Sequence, residues 1–435
     1  MKSLLNLLKG LFDQENKTRI STNVFWLLVS NFVRMPFGFI SNILLANYLS
    51  TEILGVWSYG RTLVVILLPL AMLAPDHILC RELSKNKDQS VSILSHAILL
   101  KLLGSSLALS VGIVFATWNF DDTYSQYISA ILLTLVFTEI SGAFSSWFRS
   151  QTDSTRYLQL EVVVYLIWHA FVFLSVTLEF SFAAIVAGHI VQTALIVGVG
   201  YFLYRAKVGK LALFAWDKKY FRLFAKNSFP LALSTSLFFL AQKGDKLVVE
   251  SNLNLESLGI YSVASVCIDI IAAIPFFVAG AAAPKLIFKY SNLKDRLNGV
   301  RRISTALLLG CSVLCLGTGL IAPFFLELVL EERLFKSINI LLILLPIGVL
   351  NAFEGVIYHY LIALSRFDLL IVKSGMTALA VAIGSYIGST YGDIQGAAWG
   401  TLIGTYSAVL SVNMVIPTLR QAFLHQLGFR YRIQK

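Results

Sequence analysis

At 435 residues, with 57% hydrophobic and only 14% charged side chains and a mean hydropathy of +0.75, the chain lies outside the range of soluble domains. Its formal charge of +11 would suggest nucleic acid in a soluble protein, but Lys and Arg gather in the short gaps between apolar runs, which is a pattern of membrane topology. The four cysteines lie in apolar segments, the six histidines form no metal-spaced cluster, and no phosphate loop or nucleophile elbow occurs; the sequence thus offers no disulfide framework, metal site, cofactor site or catalytic centre.

The first segment, residues 1–21, places Leu4, Leu5, Leu7, Leu8 and Leu11 at helical spacing with Lys2, Asn6 and Lys9 on other faces. This predicts an interfacial amphipathic helix, retained and cytoplasmic, because Lys9 and the polar run after it leave no cleavable signal core. A lipid-crossing helix must satisfy its own backbone and needs about 20 apolar residues. Such runs fall at 22–48, 54–79, 92–116, 127–148, 160–177 and 182–204, then at 224–249, 258–282, 303–325, 338–362, 369–387 and 396–419. The expectation is an all-α integral membrane protein of about twelve transmembrane helices. It has an N-lobe over 22–204, a basic cytoplasmic linker over 205–223, a C-lobe over 224–419 and a basic cytoplasmic tail over 420–435. About 27 of the 35 Lys and Arg fall in alternate gaps, among them the loop that runs from Arg366 to Lys373. The other gaps carry mainly acids, with Arg333 and Lys336 the basic exceptions. Both termini are therefore expected in the cytoplasm.

The stretch Leu49-Ser-Thr-Glu-Ile-Leu-Gly-Val-Trp-Ser58 returns as Leu253-Asn-Leu-Glu-Ser-Leu-Gly-Ile-Tyr-Ser262. Both copies occupy the outer turn between the first two helices of a half. The halves should therefore be parallel repeats, an arrangement typical of transporters that expose a midplane site to each side in turn. With Ala46 to Ser58, Asp245-Lys-Leu-Val-Val249, Gly259-Ile-Tyr-Ser-Val-Ala264 and the region from Ala322-Pro323 to Pro346 in this order, the chain resembles the Wzx-type O-antigen flippases of the multidrug/oligosaccharidyl-lipid/polysaccharide exporter superfamily. It departs from their pattern at Ala74-Pro75-Asp76 and at Glu332-Arg333. The resemblance implies flipping of an undecaprenyl-pyrophosphate-linked oligosaccharide from the cytoplasmic to the periplasmic leaflet of a bacterial inner membrane. It also implies a polysaccharide polymerase and a chain-length regulator as partners.

A charge at mid-span costs about 2.5–3.5 kcal/mol on insertion scales, so each one needs a partner or a wet cavity. Arg34 and Arg61, with Lys243 and Lys246, are the candidate substrate-binding cations of one positive cavity suited to a pyrophosphate. The repeat places Phe238 opposite Arg34 and Ser265 opposite Arg61, so these charges break the symmetry the scaffold keeps. The structural alternative pairs the arginines with Glu139, Asp269 or Glu354 and lets the two lysines snorkel beside Asp245. Asp269, Glu139, Glu354 and Asp245 are the candidate proton or sodium carriers or counter-charges. Sugar contacts would fall to scattered groups such as Asn31, Asn42, Gln192 and Gln242.

Two rival functions are weighed. An ion-coupled multidrug antiporter would share the fold but calls for an acidic, aromatic cavity. A membrane polysaccharide polymerase calls for a long outer loop, and the longest outer gap here, 326–337, is short.

Overall fold

The computed structural model describes residues 17–151, 154–209, 211 and 218–429. Of the interfacial segment expected over residues 1–21, residues 1–16 lie outside the described residues, as do the linker residues 210 and 212–217 and the tail residues 430–435; residues 17–21 belong to the first helix. Those described are helical apart from short connections, with no strand among them. The helices are α1 Lys17–Tyr48, α2 Thr51–Ala71, α3 Asp76–Lys85, α4 Ser90–Asn119, α5 Asp122–Leu132, α6 Thr134–Ser150, α7 Thr155–Thr177 and α8 Phe182–Lys207. There follow α9 Lys218–Asn252, α10 Leu255–Ala283, α11 Leu293–Val329, α12 Lys336–Leu344, α13 Pro346–Ala363, α14 Phe367–Val415 and α15 Pro417–Gln426.

Each of the twelve expected spans falls on helix, and local chemistry explains where the ends move. The second span ends early, at Ala71, because Pro75 lacks a backbone N–H and biases its predecessor away from helix. Pro346 divides the tenth span into α12 and α13, bent by 46°. The twelfth stops at Val415, before Pro417 opens α15. Between the spans, Asp121, Ser181 and Asn254 cap α5, α8 and α10 by accepting from Tyr124 N, Ala184 N and Ser257 N. Among the described residues, eight helices are long and apolar enough to cross a membrane, or nine counting the bent pair as one span. The long α14 is one of the eight, yet it is two rods joined where Gly392 and Asp393 leave helical geometry, Asp393 with φ +56°. The rods lie antiparallel and backbone to backbone: a Cβ built on Gly384, Gly388 or Gly404 would strike the carbonyl of Gly400, Gly396 or Ala380. Such small-residue seams let helices approach where lipid supplies no hydrophobic drive.

The chain packs as two units. Of the described residues, the first takes those up to Ser41 together with Leu70–Phe229, and the second takes Asn42–Pro69 together with those from Pro230. The first unit closes on Leu94, Phe144, Trp147, Phe148, Tyr157 and Tyr204, with Phe148 stacked on Tyr157 at 5.2 Å. The second closes on Ala279, Ile287, Val300, Ile303, Val356 and Tyr360. Outside that core, α11 turns Leu309, Val313, Leu320, Phe324 and Leu328 outward, the last 82% exposed. A face this apolar would cost about 25 cal/mol per Å² in water, so its solvent is lipid.

In the second unit the two copies of the repeat pack on each other. A Cβ on Gly55 would strike the Leu255 carbonyl, and one on Gly259 the Thr51 carbonyl. Nearby, Asn47 donates to Val329 O at 2.7 Å, and Arg333 reaches the carbonyls of Ala46 and Asn47 at 3.3 and 2.5 Å. The basic exception in that outer gap thus serves as a backbone tie.

Candidate functional site

The second unit encloses a cavity of about 890 Å³, counted with its mouth, between α9, α10, α13 and α14. Two charged groups stand on its walls. In the first, the Lys243 ammonium touches the Asp269 carboxylate, and Lys246 Nζ stands 3.8 Å from its other oxygen. Lys246 is 8% exposed against 41% for the Asp269 side chain; the acid therefore meets the cavity more openly than the lysine. Arg61, on α2, acts through space on both Lys246 and Asp269. Its guanidinium donates to Asn42 Oδ1 at 3.3 Å and lies 5.7 Å from the Trp57 ring.

Asp245 also lines the cavity. It accepts from Tyr261 Oη at 2.6 Å and from the backbone N–H of Lys246 at 2.9 Å, which ties α9 to α10. Counting it, three cations and two carboxylates leave a formal surplus of one positive charge, and burial strengthens the pull of that surplus on an anion.

The second group is built on Lys373. Its ammonium, 5% exposed, donates to Glu354 Oε1 at 2.7 Å and to Asn413 Oδ1 at 2.6 Å, while Asn413 Nδ2 donates to the same Glu354 oxygen at 3.3 Å. The basic gap expected to run from Arg366 to Lys373 is therefore corrected: Lys373 lies inside α14, held by partners from α13 and the second rod.

The first unit holds Arg34. Its Nη2 meets Glu161 Oε1 at 2.6 Å, its Cζ lies 4.1 Å from the Tyr165 ring, and its Nε is buried with no acceptor among the described residues. Glu161 and Tyr165 stand one turn apart on α7 and together clasp the guanidinium by charge and by cation–π contact. One turn further along, His169 pairs with Ser41 Oγ at 2.7 Å. Deeper in the same unit Lys101, 1% exposed, sits between Glu139 Oε2 at 2.6 Å and Asp76 Oδ1 at 3.0 Å, with Arg149 at 3.9 Å from Asp76.

The expected site thus divides by unit. Arg61, Lys243 and Lys246 come together around Asp269, while Arg34 has its own pair in the first unit. The structural alternative is corrected in its partners: Arg34 is held by Glu161, whereas Glu139 and Glu354 are held by Lys101 and Lys373. Sequence reasoning missed Glu161, Asp76, Lys101 and Lys373. Lys101 had a signal, since a lone lysine ten residues inside an apolar run must find an acid.

The profile of the family described as "Polysaccharide biosynthesis protein" matches residues 20–291. Among solved structures, an inward-facing multidrug resistance transporter of the MATE family and MOP superfamily is 15% identical. It aligns over 89% of this chain and 96% of its own, with a TM-score of 0.68. The lipid II flippase MurJ in an inward closed conformation is 14% identical over 93% of this chain and 90% of its own, with a TM-score of 0.71. A MOP superfamily transporter from Pyrococcus furiosus, whose binding pocket is described as of reverse polarity, is 16% identical over 92% and 96%, at 0.56. No curated protein matches the chain by sequence.

Proposed function

Since the chain belongs to the polysaccharide biosynthesis protein family and has the fold of MOP-superfamily transporters, we propose that it flips an undecaprenyl-pyrophosphate-linked oligosaccharide, an O-antigen or exopolysaccharide repeat unit. Movement runs from the cytoplasmic to the periplasmic leaflet of a bacterial inner membrane. The observation that carries this reading is the gathering of Arg61, Lys243 and Lys246 around a single acid beside the cavity of the second unit. A multidrug cation exporter would place the reverse charge there.

In this mechanism the pyrophosphate enters between the cations of Arg61 and Lys246, and Lys243 trades Asp269 for a phosphate oxygen; Arg34 is a second candidate cation, within the first unit. Arg forks onto two phosphate oxygens, while Lys follows as a mobile point charge. The polyprenyl tail stays in lipid. Alternating access then presents the head group outside. A potential negative inside is worth about 2.3 kcal/mol per charge per 100 mV. The loaded site carries about one net negative charge, the pyrophosphate's two against a surplus of one, and that potential favours its outward movement. The empty, positive site is drawn back inward, and the cycle resets without ATP. Asp269, the acid most open to the cavity, is the candidate proton or sodium carrier; Glu139 and Glu354, held by lysines, act as counter-charges. Polymerase and chain-length regulator take the product on the far side.

Transfer of a pyrophosphate-linked lipid oligosaccharide across reconstituted vesicles tests the reading, with Arg34→Ala and Arg61→Ala compared at equal folded protein. Loss of transfer in the variants supports it. Full transfer in both returns the arginines to structure, and export of organic cations by the parent in place of lipid transfer favours the antiporter.

A further inference from the structure

Each lysine on the cavity walls has a named partner, Lys246 facing Asp269 and Lys373 held by Glu354 and Asn413. What stays unmatched is neutral. Gln242, on α9, donates from Nε2 to Asn351 Oδ1 at 3.3 Å. Asn351, on α13 and 2% exposed, is left with its own Nδ2 buried and without an acceptor among the described residues. A buried amide donor left unpaired costs about 1–3 kcal/mol, so a native site that keeps one keeps it for a partner. Both amides are part of the cavity wall.

Beside them stands an aromatic wall. Phe238 and Tyr358 line the cavity with ring centroids 5.8 Å apart, backed by Phe276 at 5.2 and 6.2 Å. The hydroxyl-bearing Ser374, Thr377 and Thr405 also line the cavity. A flat apolar face, an unmatched amide donor and several hydroxyls, with no net charge of their own, form a surface that neither a phosphate nor a hydrocarbon chain matches. A pyranose ring does: its C–H face lies on the aromatic rings and its equatorial oxygens meet the donors. An organic cation would meet the same rings, but the surplus positive charge of the group around Asp269 opposes it.

Accordingly, we propose that the cavity of the second unit contains a saccharide subsite. In it one neutral pyranose of the cargo stacks on Phe238 and Tyr358 and accepts a hydrogen bond from Asn351 Nδ2 through a ring hydroxyl or an acetamido carbonyl. This rests on the flippase reading and adds to it the part of the molecule that recognises sugar apart from pyrophosphate. Asn351 and Tyr358 are then specificity residues, and Gln242 is a positioning residue that fixes the Asn351 carboxamide by its Oδ1.

The test measures the affinities of the purified full chain for two probes, undecaprenyl pyrophosphate and undecaprenyl-pyrophosphoryl-N-acetylglucosamine, in the parent, Asn351→Leu, Tyr358→Ala and Tyr358→Phe. The parent should hold the glycosylated lipid about tenfold more tightly, as expected for one hydrogen bond and a stacking contact worth about 1.4 kcal/mol together. Asn351→Leu and Tyr358→Ala should abolish that difference while leaving the bare lipid's affinity unchanged, and Tyr358→Phe should keep it. A preference that survives both substitutions, an equal fall for both lipids, or a parent with no preference overturns the subsite. A parent that binds neither lipid overturns the flippase reading and the subsite together.

Discussion

Gly55 and Gly259 stand at equivalent places in the two copies of the repeat, and each lies against the other copy's backbone, Gly55 on the Leu255 carbonyl and Gly259 on that of Thr51. Leu255 and Thr51 are themselves equivalent, so the contact is reciprocal. The repeated Leu-Gly pair is therefore a packing device: neither glycine can carry a side chain while α2 and α10 touch here. Gly55→Val and Gly259→Val should each destabilise the protein by about 1–3 kcal/mol through overpacking. Gly310→Ala, where no atom lies within 4 Å of the added Cβ, should be neutral or slightly stabilising. Thermal unfolding in detergent, followed by helix content, reads all three.

Lys101 with Glu139 and Asp76 is a buried ion group, and removing one member leaves the others charged in an apolar core. Lys101→Met should cost about 3–5 kcal/mol, and the double variant Lys101→Met with Glu139→Leu should recover much of it. A double variant as unstable as the sum of its parts contradicts the pairing.

Asp393 turns the α14 hairpin at φ +56° and ψ −151°, backbone geometry open almost only to glycine. Asp393→Gly should therefore raise stability by about 1 kcal/mol, and Asp393→Val should lower it. The same unfolding measurement gives the sign.

Much of this architecture is legible in the sequence because lipid imposes a simple rule: a span must be long, apolar and self-satisfied. The positions of the twelve apolar runs follow from it, as does the turn at Gly392-Asp393. Breaks at Pro75 and Pro346 are harder to foresee, since membrane helices tolerate proline until neighbouring packing decides otherwise. The charges show where periodicity stops informing. That Arg61, Lys243 and Lys246 sit deep enough to matter could be counted along the helices. Which acid answers which base depends on helix rotation and neighbours: Glu161 reaches Arg34 from α7, while Glu139 turns to Lys101. Lys373 misled because topology alone reads a lysine near a span end as a loop charge. Asn351 carries no motif, and only the lack of an acceptor for its Nδ2 among the described residues draws attention to it.

If the empty, positive site returns under the membrane potential, turnover must rise with the potential. Neutralising Lys246 by Lys246→Met should flatten that dependence as well as weaken binding of the lipid-linked head group. Initial transfer rates in vesicles at imposed potassium diffusion potentials separate the two effects.

The most direct measurement is transfer by the unaltered protein. It follows the leaflet position of an undecaprenyl-pyrophosphate-linked oligosaccharide in vesicles holding the purified chain, at zero potential and at about 100 mV, negative on the side from which the lipid starts. The account predicts protein-dependent transfer that accelerates with the potential. Correctly folded protein that moves no such lipid at either potential would contradict it.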